Sequence, residues 1–388
     1  MSEHWDELQN NLEQIREKNL FRECLQRDEI DFCSNDYLGL ANSPELIQLF
    51  SRNVLQSSTG STASRLVRGH RKSMSDFEAK FSNFVHSENS LLVANGYVAN
   101  MGLIDTIADS QTYIFTDRLN HASILDGIRI SGAQKKYYNH LDLDHLESQL
   151  IKLEANSSQT NKKRIIVSET LFSMDGDSPD LKKLIEIKRK NKCVLILDEA
   201  HALGVFGKNG RGLCFETLTE EDVDEIDYRV YTLGKALGLE GGIIATSNIG
   251  RDYLVNRMRA FIFSTAPIPA ISLTAIGALD MLAAADDKRY HLHKIAKLFK
   301  DRLIAEGFQI SPTTSHIVPV LMPSEREALS FSEALKKRGF DIRAIRPPTV
   351  PNSRLRISLN AEMSISMIES LVLALVATRQ EISGQKDE

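Results

Sequence analysis

Two short segments of the chain end apolar runs in groups able to do chemistry. In Val194-Leu195-Ile196-Leu197-Asp198-Glu199-Ala200-His201 the run stops at Asp198, with a second acid beside it and a histidine three residues on. In Tyr231-Thr232-Leu233-Gly234-Lys235-Ala236-Leu237-Gly238 another run meets a lysine flanked by glycines and preceded by a hydroxyl. As buried strands, both deliver their polar residues to the carboxyl edge of a sheet, where open α/β folds bind ligands. An amine in such a pocket has a depressed pKa and becomes a nucleophile toward carbonyl carbon. Small neighbours let a bulky planar group approach it. Each segment alone has an ordinary explanation as well. Asp198 would serve equally as the cap of a following helix, and most lysines are surface charges.

Together the two segments suit pyridoxal 5'-phosphate, which needs a lysine to hold its aldehyde carbon and a carboxylate at its pyridine nitrogen. The carboxylate keeps that nitrogen protonated, so the ring can accept an electron pair from a substrate carbon. The phosphate needs a cradle of the kind that helix N-termini and hydroxyls provide. Asn95-Gly96-Tyr97-Val98-Ala99-Asn100 follows an apolar run and opens a helical stretch, and its glycine permits close approach to an anion.

The elements that must position these groups alternate along the middle of the chain. Strands are expected at 90–94, 112–116, 164–169, 194–198, 228–233 and 242–246, several of them apolar almost throughout, as parallel strands buried on both faces should be. Helical periodicity lies between them, at 122–131, 143–153 and 180–190. After about residue 285 the pattern changes to a helix at 290–306, a short strand pair and a helix at 364–381. The sequence therefore predicts an N-terminal helix and strand over 1–40, a large α/β domain with a mostly parallel sheet over 41–285, and a smaller α+β domain over 286–388.

Bulk properties exclude several other classes. The chain has 388 residues, 42% of them hydrophobic and 26% charged, with a net charge of −5. That balance offers nothing to nucleic acid or an anionic membrane. The run Arg65-Leu66-Val67-Arg68-Gly69-His70-Arg71-Lys72 reads as a solvated surface or as a site for a phosphate-bearing substrate. No apolar stretch opens the sequence and none is long enough to span a bilayer. Cys24, Cys33, Cys193 and Cys214 show no zinc spacing, so no metal site is expected and the thiols read as reduced, in a cytoplasmic protein.

A wider set of segments resembles the α-oxoamine synthase family, fold-type I (aspartate-aminotransferase-like) enzymes that condense an amino acid with an acyl thioester. The segments are Ser34-Asn35-Asp36-Tyr37-Leu38-Gly39-Leu40, Asn120-His121-Ala122-Ser123, Glu169-Thr170-Leu171-Phe172-Ser173-Met174-Asp175-Gly176-Asp177, Asp198-Glu199-Ala200-His201, Thr232 to Gly238 and Phe263-Ser264-Thr265-Ala266. They stand in the family's order over nearly the whole chain. Arg343 to Pro351 and Arg354-Leu355-Arg356-Ile357-Ser358-Leu359 point to the branch that joins L-alanine to a pimeloyl thioester, of coenzyme A or an acyl carrier protein, in biotin biosynthesis.

The resemblance implies a role for each matching residue. Lys235 would hold the cofactor, Asp198 its ring nitrogen, and His121 would stack on its ring. Ser173 and His201 would bind its 3'-oxygen, and Gly96, Tyr97 and Thr232 its phosphate. Ser264 and Thr265 would reach that phosphate from a second subunit, making a homodimer with shared sites. Asn35 and Arg356 would hold the amino-acid carboxylate, and Arg22 the far carboxylate of the acyl chain, although Arg22 reads equally as a helix-surface residue. Met74, the turn Gly60-Ser61-Thr62-Ala63-Ser64-Arg65 and Glu240 depart from the family pattern. Other α-oxoamine synthases, an ordinary aminotransferase and a catalytically silent binding subunit are the competing readings.

Overall fold

The computed structural model describes residues 3–26, 28–155 and 162–384. Seven strands form the main sheet: β2 (Asn89–Val93), β3 (Tyr113–Asp117), β4 (Gln134–Tyr138), β5 (Arg164–Glu169), β6 (Val194–Asp198), β7 (Tyr228–Thr232) and β8 (Gly242–Thr246), after a two-residue β1 (Ile30–Asp31). Their order is β2-β8-β7-β6-β5-β3-β4. Only β8 runs against its neighbours.

The apolar strands are buried on both faces, and the two-residue side-chain period divides them between two cores. Ile165, Val167, Ile196, Val230 and Ile244 share one core with Leu103 and Ile104 of helix Gly96–Ile107 and with Ile124 and Ile128 of helix Ala122–Ser131. Ile166, Leu195, Leu197, Tyr231 and Ile243 meet Leu146 and Leu150 of helix Leu143–Glu154, and Leu184 and Ile185 of helix Leu181–Asn191. Fully burying each such side chain stabilises the fold by about 1.5–3 kcal/mol.

Two strand features and one helix boundary differ from the sequence expectation. β4 was not expected, because Gln134-Lys135-Lys136 carries no apolar pattern; it is an edge strand whose lysines face solvent. The expected strand pair is a three-stranded sheet of β9 (Ile317–Leu321), β11 (Arg343–Ile345) and β12 (Arg354–Ser358), ordered β11-β12-β9. β10 (Phe340–Asp341) pairs in parallel with β1, so the N-terminal strand joins a distant partner, whereas helix Glu3–Glu17 buries none of its residues. Helix 290–306 begins earlier, as Asp286–Ala305, with Asp286 and Asp287 in its positive first turn. No single helix among the described residues is long and apolar enough to cross a membrane.

The antiparallel β8 brings the loop after β2 and the end of β7 together, because its first residue pairs with both Val93 and Thr232. A Cβ at Gly242 would stand 2.3 Å from the Asn95 carbonyl oxygen, so only glycine lets the Asn95–Gly96 turn cross here. Gly242→Ala is expected to cost about 1–3 kcal/mol in urea unfolding. Gly60→Ala, whose added methyl meets nothing within 4 Å, should change stability by no more than about 0.5 kcal/mol.

Candidate active site

The parallel strands deliver their carboxyl ends to one edge of the sheet, and a cavity of about 250 Å³ opens there. Gly96, Tyr97, His121, Asp198, His201, Thr232 and Lys235 all line it. Asp198 does not cap a helix, because turns follow it; the Ala200 amide donates to its Oδ1 at 2.8 Å. Asn100 Nδ2 donates to its Oδ2 at 2.6 Å. Both of its oxygens thus accept a hydrogen bond, which fixes the carboxyl plane at the cavity wall. Its neighbour Glu199 is turned away and structural, accepting from the Leu213 and Cys214 amides and the Thr170 hydroxyl.

His121 does cap a helix, its Nδ1 accepting from the Ser123 amide at 3.2 Å, and its ring still faces the cavity. Gly96 opens helix Gly96–Ile107, whose N-cap Asn95 accepts from the Val98 amide at 2.9 Å. A Cβ on Gly96 would meet the Thr232 side chain at 3.1 Å, so the bare backbone and the Thr232 hydroxyl border one small space at a helix N-terminus.

Lys235 Nζ lies 2.6 Å from His201 Nε2. Desolvation lowers the Lys235 amine to about 8, against the pull of Asp198 and Glu169. Burial, and then the Lys235 charge, hold His201 well below the ordinary histidine range, so its imidazole is neutral. Glu169, which lines the cavity and accepts from the His121 amide at 2.7 Å, is raised by its own burial and by the Asp198 charge.

Asn35, Ser173 and Arg356 lie behind His201 rather than in the cavity wall. Arg356 donates through Nε to the Ser173 carbonyl at 2.6 Å and through Nη2 to Asn35 Oδ1 at 3.1 Å. Ser173 is thus seen through its backbone, not its hydroxyl. Ser264 and Thr265 are outside this cavity; Thr265 bridges to Ser64, beside Arg65 and Phe261. Arg22 is exposed on an irregular segment and bonds to none of the other expected residues.

Four contributors had no expected role: Asn100, Ser123, Glu169 and Tyr37. Glu169 carried a legible signal, since it ends an apolar run just as Asp198 does. Met74 is fully buried and Glu240 is exposed.

The cavity fits pyridoxal phosphate: an amine of lowered pKa, a carboxyl group fixed by donors on both oxygens, an imidazole face and a helix N-terminus for phosphate. Residues 27–375 match the family described as Aminotransferase class I and II. The chain belongs to this family.

Among its curated relatives are a putative 8-amino-7-oxononanoate synthase of Bacillus cereus (strain Q1), 36% identical over 98% of this chain and 99% of the relative. The 8-amino-7-oxononanoate synthase of Saccharophagus degradans is 37% identical over 92% and 89%. Among solved structures, Sphingomonas wittichii serine palmitoyltransferase aligns with a TM-score of 0.89 at 25% identity, covering 98% of each chain. The Francisella tularensis 8-amino-7-oxononanoate synthase aligns at 0.78 and 26%, covering 92% of this chain and 99% of its own. Within the aminotransferase class I and II family the chain is of the α-oxoamine synthase type. Its fold is fold-type I, with pyridoxal phosphate as the cofactor.

The Lys235 amine is neutral, and so reactive toward an aldehyde, above its lowered pKa. The rate at which cofactor-free protein takes up pyridoxal phosphate should therefore rise with pH through about 8 and then level, followed by visible absorbance in stopped flow. A rise still continuing above pH 10 would show an amine with no lowered pKa.

Proposed function

We propose that this pyridoxal-phosphate-dependent acyltransferase is an 8-amino-7-oxononanoate synthase of biotin biosynthesis. It joins L-alanine to a pimeloyl thioester of coenzyme A or an acyl carrier protein, releasing CO2 and the free thiol. The observation that carries this reading is the near full-length match to relatives of that name, in a chain that keeps the whole cavity constellation. A second reading, an α-oxoamine synthase acting on serine or glycine, is favoured by the better overlay on serine palmitoyltransferase.

When bound, the cofactor supplies an electron sink for the pair left on the amino-acid carbon by loss of a proton or of CO2. The chain holds and orients the reactants around it. Lys235 links the cofactor at rest and afterwards, as a free amine with lowered pKa, takes the Cα proton at Nζ and returns it. Asp198, fixed by Asn100, keeps the proton on the ring nitrogen. His121 covers the ring and His201 faces its 3'-oxygen; Ser173, which holds Arg356 through its carbonyl, would join His201 there by turning its hydroxyl into the cavity. Gly96, Tyr97 and Thr232 hold the phosphate, joined by Ser264 and Thr265 of a second copy in a homodimer. Asn35 and the fork of Arg356 hold the amino-acid carboxylate. Arg22 faces the far carboxylate of the acyl chain, which needs a cation if it is buried.

Product mass spectrometry with alanine, glycine and serine against pimeloyl, acetyl and palmitoyl thioesters tests the substrate pair. Alanine with pimeloyl thioester should give the one dominant amino ketone; a palmitoyl or acetyl preference would move the chain elsewhere in the family. Lys235→Ala should abolish turnover. Mixed with a variant disabled at Thr265, it should recover part of the activity in hetero-dimers, each with one intact site. A fully active monomer in sedimentation would refute the shared site.

A further inference from the structure

One buried tyrosine, to which no role has been given, stands between the two halves of the site. Tyr37 is 0% exposed, with its hydroxyl 2.5 Å from His201 Nδ1 and 2.9 Å from Asn35 Oδ1. Beyond His201 lies Lys235, and beyond Asn35 lies Arg356. The Tyr37 ring is held from the side by the fully buried His316 ring, edge-on, with centroids 4.0 Å apart. The hydroxyl is therefore fixed in place, and burial holds its pKa above the ordinary phenol value, so it remains protonated.

Counting hydrogens gives the line a direction. Asn35 Oδ1 can only accept, a phenol has one hydrogen to give, and a neutral imidazole carries one N–H. While Lys235 Nζ donates to His201 Nε2, the ring hydrogen sits on Nδ1 and is given to the Tyr37 oxygen. Tyr37 then gives its own hydrogen to Asn35 Oδ1, which also accepts from Arg356. A ligand oxygen in the cavity that accepts from His201 needs the hydrogen on Nε2 instead. Nδ1 is then bare, Tyr37 turns its hydrogen to it, and Asn35 Oδ1 loses a donor. A carboxylate requires the N–H2 end of Asn35, and the amide presents that end more readily once its oxygen is less tightly held.

We propose that Tyr37 is a positioning residue that couples the tautomer of His201 to the Asn35–Arg356 pair, so that filling the cofactor cavity readies the chain for the amino-acid carboxylate. This deepens, and rests on, the roles proposed for His201, Asn35 and Arg356.

Two measurements test it. In protein labelled with 15N-histidine, His201 (assigned with His201→Asn) should carry its hydrogen on Nδ1 without cofactor and on Nε2 once pyridoxal phosphate is added. Tyr37→Phe, which keeps the ring, should bind pyridoxal phosphate within about twofold of wild type. In cofactor-free protein, where wild-type Tyr37 holds Asn35 Oδ1, Tyr37→Phe should bind L-alanine about three- to tenfold more tightly than wild type, the worth of one neutral hydrogen bond; with pyridoxal phosphate bound, the alanine dissociation constant and KM of the two should agree within about twofold. kcat and the thioester KM should stay within about twofold. In the Asn35→Ala background the same substitution should add nothing. A His201 tautomer that ignores the cofactor, unchanged alanine affinity in cofactor-free Tyr37→Phe, or the same gain persisting in the double variant would each overturn the proposal. The tautomer is read on wild-type protein, so a poorly folding variant does not remove the test. If wild type binds glycine or serine but not alanine, the substrate reading falls, and the same cycle run with that amino acid still decides the role of Tyr37.

Discussion

The site depends on a buried amine facing two buried carboxylates. A charge taken from water alone costs several kcal/mol, whereas one met by opposite charge and hydrogen bonds is tolerated. Lys235, Asp198 and Glu169 stand in that relation, each at or just beyond a strand end, and Asn100 reaches across from a helix to complete it. The sheet order, the antiparallel strand and the glycine at its start all serve to bring these strand ends within reach of one another.

A second tier of buried charge steadies the loop behind the cavity. Arg354 pairs with Asp175, both buried. His140 sits between Asp117 and Asp177 at 3.0 and 3.1 Å. Burial opposes its protonation, but the two carboxylates raise His140 to about 10, so it remains a cation bridging them. The segment from Ser173 to Asp177 is thus gripped at Asp175 and Asp177, just beyond the carbonyl that receives the Arg356 guanidinium. Breaking one partner of such a pair generally costs more than the pair contributes, because the remaining charge is left stranded.

Much of this was legible in the sequence because the central strands are apolar on both faces and end in abrupt polar residues. Val194 to Asp198 and Tyr228 to Thr232 announce both their burial and their chemistry. β4 did not, since an edge strand needs apolar side chains on neither face and its lysines can lie in water. The small sheet was underestimated because its strands are short and find partners far along the chain. Arg356 and Asn35 were legible through family resemblance, and their meeting came from the fold. Asn100 and Tyr37 were hidden: an asparagine on a helix and a tyrosine in a loop carry no periodic signal. Their function arises only from what a distant strand sets beside them.

The loop bearing Lys235 closes on itself. The Leu233 amide bonds to the Gly241 carbonyl, the Leu239 amide to the Leu233 carbonyl and the Gly238 amide to the Lys235 carbonyl, each at 2.9 Å. Gly238, at φ +70°, lies so close to Ala41 that a Cβ would come within 2.5 Å of that backbone nitrogen. An amine tied down in this way does not diffuse off when its bond to a partner opens. Well-oriented groups of this kind act at effective molarities on the order of 10⁵ M or more. In the role proposed for Lys235, amines free in solution at millimolar levels would be outcompeted by so large a margin that the same nitrogen would be the first reagent present at both the beginning and the end of every turnover.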